Sequence, residues 1–446
     1  MKKYNNIIKF IGLTVIAAFG FTSCEISPID DPNNPSLEAI SSNATLSEIQ
    51  NVVTGSESGM REQLNQYYDA VSVVGREWYR FSGSDPRFTS DLLGKGNAVL
   101  DGNTFYTTQP FGARYRTIKN LNILIDAITN TKAITDPNQK RAGIAYAKTL
   151  QAYQLLMVLN QQYNNGVRVD VKDPDNLGPF LSKDASLAAI VSMLDEAYAN
   201  LNNNNVDFPF SSTLKARLPG DNVSAPTPSD FALINRAIAA RVYIYKQDWA
   251  NALTALNASF FNLNGDLKTG VYHIYSTDGG DLLNPVYFPT NQSGETRVAQ
   301  PNFITDAEAG DARLSKVSLR VDTAFQDGLS STYDVWVYKS NTDVVPIIRN
   351  EELILIYAEL SAQNGSASDA VNALNIIRNA AGLGNYTGGT TTTELINEVL
   401  KQRRYSLYGE GHRWVDMRRY NKLNELPIDR AGDDVWVEFP RPDTEI

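Results

Sequence analysis

Ten residues, Glu410 to Arg419, bring together one histidine, two acids and three arginines. A histidine beside carboxylates is the usual raw material of general acid–base work near neutral pH. Nothing else in the chain completes such a site. The other histidine, His273, is far away in sequence, so a histidine-based metal site is not expected. No HExxH helix, G-x-S-x-G elbow, P-loop or CxxC pair occurs. Glycoside hydrolysis needs only two carboxyl groups at a suitable separation, and with 50 acids some pair would meet it by chance. A structural reading explains the cluster better. Asp416 and Arg419 have ion-pair spacing on a helix, Trp414 has the size to fill a core gap, and Gly411 allows a tight turn. No catalytic residue, no metal and no cofactor is therefore expected.

Binding chemistry is better supplied. Sugar rings need flat apolar faces beside planar polar groups, and Tyr and Trp give large amphipathic surface at low entropy cost. Arg76-Glu77-Trp78-Tyr79-Arg80-Phe81 holds both ingredients, and a polar loop follows through Arg87. Phe105-Tyr106 and Asn284-Pro285-Val286-Tyr287-Phe288 sit in similar loop-like surroundings. The candidate ligand residues are Trp78, Tyr79, Phe81, Arg87, Tyr106, Asn284 and Tyr287, with Trp78 or Tyr79 expected to stack on ligand. The competing role for each aromatic is a place in the core.

The single cysteine, Cys24, carries chemistry of another kind. It follows a basic start (Met1-Lys2-Lys3) and an apolar run from Ile7 to Phe21, the layout of an export signal. The run is shorter than the ~20 residues that span a bilayer. A lone cysteine at that point is similar to a bacterial lipobox, which implies cleavage before Cys24 and lipid attachment to it. Two or more acyl chains give stable anchoring. Residues 1–23 are expected to be a signal peptide, and 24–35 (CEISPIDDPNNP) a flexible tether.

Composition narrows the partners. The formal charge of −10 becomes about −13 once the three leader lysines are gone. No basic stripe is present to neutralise phosphates, so nucleic acid is not an expected partner. Anionic headgroups would repel such a surface, so membrane attachment rests on the lipid. With one cysteine there is no disulfide framework, and 42% hydrophobic residues suffice for an ordinary core.

The elements that position these residues read as helices. Thr45 and Glu48 form a capping-box pair, followed by Leu46, Ile49, Val52 and Val53 at helical spacing. Further helices carry Tyr115 to Ile128, Ala142 to Tyr163, a run from near Asp184 to Leu201, a run capped at Ser229 or Asp230 through Tyr245, and a short one after Asp248. Glu351–Gln363, Ser368–Ala381 and Thr393–Tyr408 complete the set, with Gly365 and Gly382 at helix C-terminal positions. From Phe260 to Pro346 periodicity fades, and Val286–Phe288 and Asp334–Val337 read as brief strands. Expected core residues are Ile118, Leu121, Tyr153, Leu194, Ile238, Val242, Leu355, Ile356, Leu374, Ile377 and Trp414.

The C-terminal third carries a family resemblance. It runs Arg349-Asn350-Glu351-Glu352-Leu353-Ile354-Leu355-Ile356-Tyr357-Ala358-Glu359, then Ala373-Leu374-Asn375-Ile376-Ile377-Arg378, Gln402-Arg403-Arg404-Tyr405 and Glu410-Gly411-His412-Arg413-Trp414. Order and spacing resemble the SusD/RagB family of outer-membrane nutrient-binding lipoproteins. Upstream, Phe111, Tyr115, Ile118 and Asn122 resemble that family's aromatic-x3-Tyr-x2-Ile-x3-Asn run. The resemblance implies a mainly α SusD-like fold: four tetratricopeptide-like helix pairs, irregular loops and a few short strands. It implies one domain over 36–446, with repeat helices mostly within 45–260 and 350–420 and a loop-rich insert at 260–346. It further implies capture of an oligosaccharide at the cell exterior and delivery to a SusC-like TonB-dependent barrel. A peptide-uptake lipoprotein or a helical-repeat scaffold is the alternative.

Overall fold

The computed structural model describes residues 36–202, 206–217 and 225–445. Cys24, the signal peptide and the tether lie outside them. Helices dominate: α1 (Leu37–Asn43), α2 (Leu46–Arg61), α3 (Leu64–Val74), α4 (Phe105–Asn130), α5 (Pro137–Gln162), α6 (Lys183–Leu201), α7 (Pro228–Lys246) and α8 (Trp249–Asn257). After the one-turn α9 (Asn302–Thr305) come α10 (Asn350–Gln363), α11 (Ala367–Ala380), α12 (Thr392–Ser406) and α13 (Arg413–Arg419). Neighbours pack as pairs, α2 with α4, α5 with α6, α7 with α8 and α10 with α11, and successive pairs touch through α4–α5, α6–α7 and α8–α10. Each pair buries its apolar face only against the next, the logic of helical repeats.

Local chemistry sets the helix ends. Thr45 and Glu48 form the expected capping box, and Thr391 and Glu394 form another. For α7 the cap is Thr227, with Pro228 at the first helical position and Asp230 reaching back; a proline there is preorganised rather than disruptive. Arg114 ends α2: its guanidinium donates to Met60 O (2.7 Å), to Glu62 O and to the Gln154 side chain (2.9 Å). Gly59 lets α2 approach α4, since a Cβ there would lie 2.9 Å from Thr117 Oγ1. All eleven expected core residues are buried.

Strands make two small sheets. One has the order β1-β4-β6-β5, from β1 (Trp78–Ser82), β4 (Glu295–Ala299), β5 (Val317–Gln326) and β6 (Leu329–Val335). The other is β2 (Lys215–Arg217), β3 (Gly270–His273) and β7 (Val345–Arg349), in the order β2-β3-β7. Within 260–346, therefore, the strands fall at 270–273, 295–299, 317–326, 329–335 and 345–349. Val286–Phe288 is not one, and only the start of Asp334–Val337 is. The β5–β6 hairpin is offset by a bulge between Leu319 and Ala324, which blurs its alternation in the sequence.

One further difference concerns α4. Phe105 and Tyr106, expected in a loop, form its first turn because Pro110 is tolerated inside the helix. Proline removes the N–H that would bond the carbonyl four residues back. That carbonyl belongs to Tyr106, and Gln161 Nε2 donates to it instead at 3.4 Å.

Candidate functional site

The Glu410–Arg419 cluster is an ion-pair lattice. Arg241 donates two N–H groups to Glu352, at 2.6 and 2.5 Å. Asp416 accepts from Arg403 Nε (2.7 Å) and Arg419 Nε (3.0 Å). Arg419 also grips both oxygens of Glu359, which takes the Tyr420 hydroxyl at 2.6 Å. Burial would push Glu352 up, but the Arg241 charge overcomes it and holds the carboxyl down at about 2. Burial pushes His412 down to about 4, so it is neutral near pH 7. Trp414 is fully buried and donates Nε1–H to Trp436 O at 2.8 Å. Gly411 turns with φ +78°. The chemistry here fastens α12, α13 and α10 together.

The strand β1 corrects the expectation for its aromatics. Trp78, Tyr79 and Phe81 are 1%, 2% and 3% exposed. Their rings offer no face to a ligand, because β1 pairs with β4 in the sheet and both of its faces are covered. Trp78 meets Tyr408 edge-on at 6.1 Å and donates Nε1–H to Asp69 at 3.2 Å. Tyr79 and Phe81 stack on each other, nearly parallel, at 5.8 Å. Tyr106 is likewise buried: its hydroxyl donates to Asp91 (2.8 Å) and accepts from Asp101 N (2.9 Å). Asn284 is a buried loop staple, donating Nδ2–H to Asp343 O and accepting from Val286 N, both at 2.8 Å. Of the seven candidates, only Arg87 is exposed and Tyr287 half-buried.

These two belong to a wider surface that the structure assembles. Tyr287 lies 6.1 Å from Trp336, also half-buried. Its chain neighbour Phe288 is half-buried between two guanidinium groups, Arg80 at 4.8 Å and Arg297 at 4.4 Å. Arg80 also covers Phe88 at 5.1 Å, Phe88 meets Phe105 at 4.8 Å, and Arg87 covers Phe105 at 5.1 Å. Rings and arginines thus form a continuous run from Phe105 through Phe88 and Arg80 to Phe288, with Tyr287 and Trp336 beyond. Trp336 was missed as a site residue, and in the Phe105-Tyr106 pair it is Phe105, not Tyr106, that stays half open: periodicity does not reveal that a single aromatic beyond a strand, or at a helix start, keeps part of its ring exposed.

Buried charge holds this surface from behind. Asp69 accepts from Arg297 at 2.5 and 2.8 Å, and Arg80 Nε lies 3.6 Å away. Arg297 also donates to Val286 O at 2.6 Å, pinning the loop that carries Tyr287 and Phe288. In front, Glu295 takes Arg80 (2.5 Å), Ser82 Oγ (2.7 Å) and Ser84 Oγ (2.9 Å). Burial would raise the Glu295 carboxyl, yet those hydrogen bonds hold it at about 2. Asp85 takes both Nε and Nη2 of Arg87, at 2.9 and 2.7 Å. The result is a preorganised platform of apolar faces and planar donors, suited to stacking on a sugar and bonding its hydroxyls. Among the described residues, no group of three or more His, Cys, Asp or Glu is placed to hold a metal ion.

Helix pairs stacked in series with two small sheets define a helical-repeat fold. Residues 295–435, about a third of the chain, match the SusD family. Two SusD-like proteins of Formosa agariphila are 30% identical over 145 residues and 33% identical over 122 residues. Those stretches span 29% and 24% of this chain, and the same shares of the relatives. A SusD superfamily protein from Bacteroides vulgatus superposes with a TM-score of 0.66 at 14% identity, covering 90% of this chain and 96% of that one. Surface glycan-binding protein A from Bacteroides thetaiotaomicron, in complex with laminarihexaose, gives 0.68 at 14% identity, covering 90% and 97%. At such identities the structural likeness shows the fold.

Proposed function

We propose that this protein is a cell-surface glycan-binding lipoprotein that captures an oligosaccharide and hands it, uncleaved, to a SusC-like TonB-dependent outer-membrane barrel. The observation that carries the reading is the platform of Tyr287, Trp336, Phe288 and Arg87, on segments outside the packed helix pairs, with Phe105 at the very start of α4. The fold adds support, because a protein sharing it is a glycan-binding protein complexed with laminarihexaose. Capture makes and breaks no covalent bond, which fits arginines and carboxylates committed to holding rings in place. In this reading Cys24 bears the lipid, residues 24–35 form the tether, and residues 36–446 act as one domain at the outer face of the outer membrane. Among the described residues no helix is long and apolar enough to cross a membrane, which accords with lipid anchoring. Contact with the barrel is supported by the edge strand β5, where Leu319, Val321 and Phe325 are 67%, 84% and 75% exposed; an apolar patch of this kind marks interaction surfaces.

The test is calorimetry on the soluble protein beginning at Glu25, titrated with oligosaccharides and short peptides. Saturable binding of a glycan class, with no new reducing ends afterwards, is the expected result. Binding of peptides alone would move the function to peptide uptake, and release of reducing ends would make it a glycosidase.

A further inference from the structure

A cleft of about 460 Å³ opens among the helices, apart from the loop platform. Its walls are the last turn of α5, the first turn of α6, the end of α7, and α13. The volume is that of a small-molecule site. Leu156, Leu159, Leu187 and Val415 supply an apolar lining.

The charge of this cleft runs against that of the chain. The protein carries −10, yet Lys183, Lys246, Arg418 and Arg419 line the cleft against one carboxylate, Asp184. Glu359 and Asp416 neutralise Arg419. Arg418 has no such partner among the described residues. Its guanidinium donates to the backbone carbonyls of Val437 and Asn160, both at 2.8 Å, and lies 3.9 Å from the Tyr163 ring and 4.2 Å from Trp414. The nearby Glu438 carboxylate accepts from Asn164 N. Lys246 makes no ion pair among the described residues. Lys183 also lies 5.0 Å from the Tyr163 ring centroid and 3.4 Å from Asp184, whose side chain is 86% exposed. Water screens that pair, so little of the lysine's charge is cancelled. Tyr163 is held at φ +44°, ψ −107°, a costly backbone conformation that puts its ring in contact with both cations. The positive end of the 19-residue helix α6 adds to the same field.

We propose that this cleft binds the carboxylate-bearing ring of an acidic oligosaccharide, a hexuronate unit. The cations take the carboxylate, and the leucine and valine lining takes the apolar face of the ring. Gln247 lines the cleft for the hydroxyls, and Asn160, whose Nδ2–H is donated to Tyr67 at 3.1 Å, leaves its side-chain oxygen as an acceptor. Tyr245, whose hydroxyl makes no hydrogen bond among the described residues, lines it too. The sugar rests on the glycan-capture reading; the anionic group rests on the charges alone.

The experiment titrates the Glu25-start protein with tri-galacturonate, its neutral galactose counterpart and sodium sulfate. Wild type, Lys183→Gln/Lys246→Gln, Lys132→Gln and Trp336→Ala are compared, with thermal melts as the control for folding. The expected result is saturable uronide binding that weakens with added salt and falls at least about tenfold in the double variant. Lys132→Gln, an exposed lysine in neither surface, then leaves uronide affinity within about twofold. Should the double variant melt lower than wild type, Lys246→Ala alone, at a half-buried helix end, carries the same reading. Uronide binding lost in Trp336→Ala but kept in the lysine variants would overturn the cleft and leave the platform standing. Binding of the neutral glycan without the uronide would do the same. Sulfate binding as tightly as the uronide would overturn the sugar assignment, and a neutral glycan that still bound would keep the capture reading.

Discussion

Asp69 is the most informative residue to perturb, because one carboxylate holds up the platform without touching solvent. Its side chain and that of Arg297 are each 2% exposed. It accepts Arg297 at 2.5 and 2.8 Å and Trp78 Nε1 at 3.2 Å, and faces Arg80 at 3.6 Å. Asp69→Ala leaves the Arg297 guanidinium buried with only the Val286 carbonyl to receive it; Arg80 keeps Glu295. Breaking a buried pair from one side costs about 3–5 kcal/mol, because an uncompensated charge remains. Removing both charges avoids that penalty. Asp69→Leu/Arg297→Met is therefore expected to cost at least about 2 kcal/mol less than the sum of its single variants. Urea unfolding at 25 °C and pH 7 measures this, with an unchanged slope as the control for the unfolded state. The same variants should bind glycan more weakly, since Arg297 anchors Val286 and covers Phe288. A cost for Asp69→Ala below about 1 kcal/mol, or additive single variants, would refute the reasoning.

Three further outcomes follow from particular contacts. Trp336→Ala and Tyr287→Ala should each weaken the platform's glycan by about tenfold, or about 1.4 kcal/mol, with melting temperatures little changed; unchanged affinity in both would exclude the pair. Acid should destabilise the fold through its histidines. Burial, reinforced by the charges of Arg114 and Arg61, lowers His273 to about 3, and burial lowers His412 to about 4, so the native state refuses protons that the unfolded chain accepts below about 6.5. Their contribution is present above that pH and is lost as pH falls toward 4 and 3. Glu77 works the other way: burial raises it to about 7, so its contribution is present below its unfolded value and is lost as pH rises through 7. Between pH 5 and 6 these three groups give a net uptake of about one proton on unfolding, and Glu77→Gln should raise it to about two, read from the slope of unfolding free energy against pH; equal slopes would refute the assignment. Finally, Gly94→Ala should destabilise by more than about 1 kcal/mol, because Gly94 sits at φ +68° and a Cβ there would lie 2.9 Å from Asp434 N; denaturant melts decide this.

Repeat helices were legible in the sequence because their instructions are local. A cap at Thr45, a periodic run such as Leu187 to Leu201, and Gly365 and Gly382 at φ +78° and +77° are each written within a turn or two. The same holds for Asp416 with Arg419, whose pairing needs only helical spacing. The ligand surface obeyed no such rule. Trp78 and Trp336 are chemically identical, and a loop-like segment argued for the first. Pairing of β1 with β4, more than 200 residues on in the chain by the Trp78–Ala299 register, closes both faces over Trp78. Trp336, just past the end of β6, keeps part of its ring open beside Tyr287. Likewise the loop expected at Phe105-Tyr106 is a helix turn, where Gln161, on another helix, donates to the Tyr106 carbonyl that Pro110 leaves without its N–H. Residue type and spacing thus determined the helices, the core and the family resemblance, because short-range periodicity and capping carry them. Which aromatics face a ligand, and that four cations gather in one cleft, were decided by tertiary structure alone, because burial and summed charge depend on segments distant in sequence.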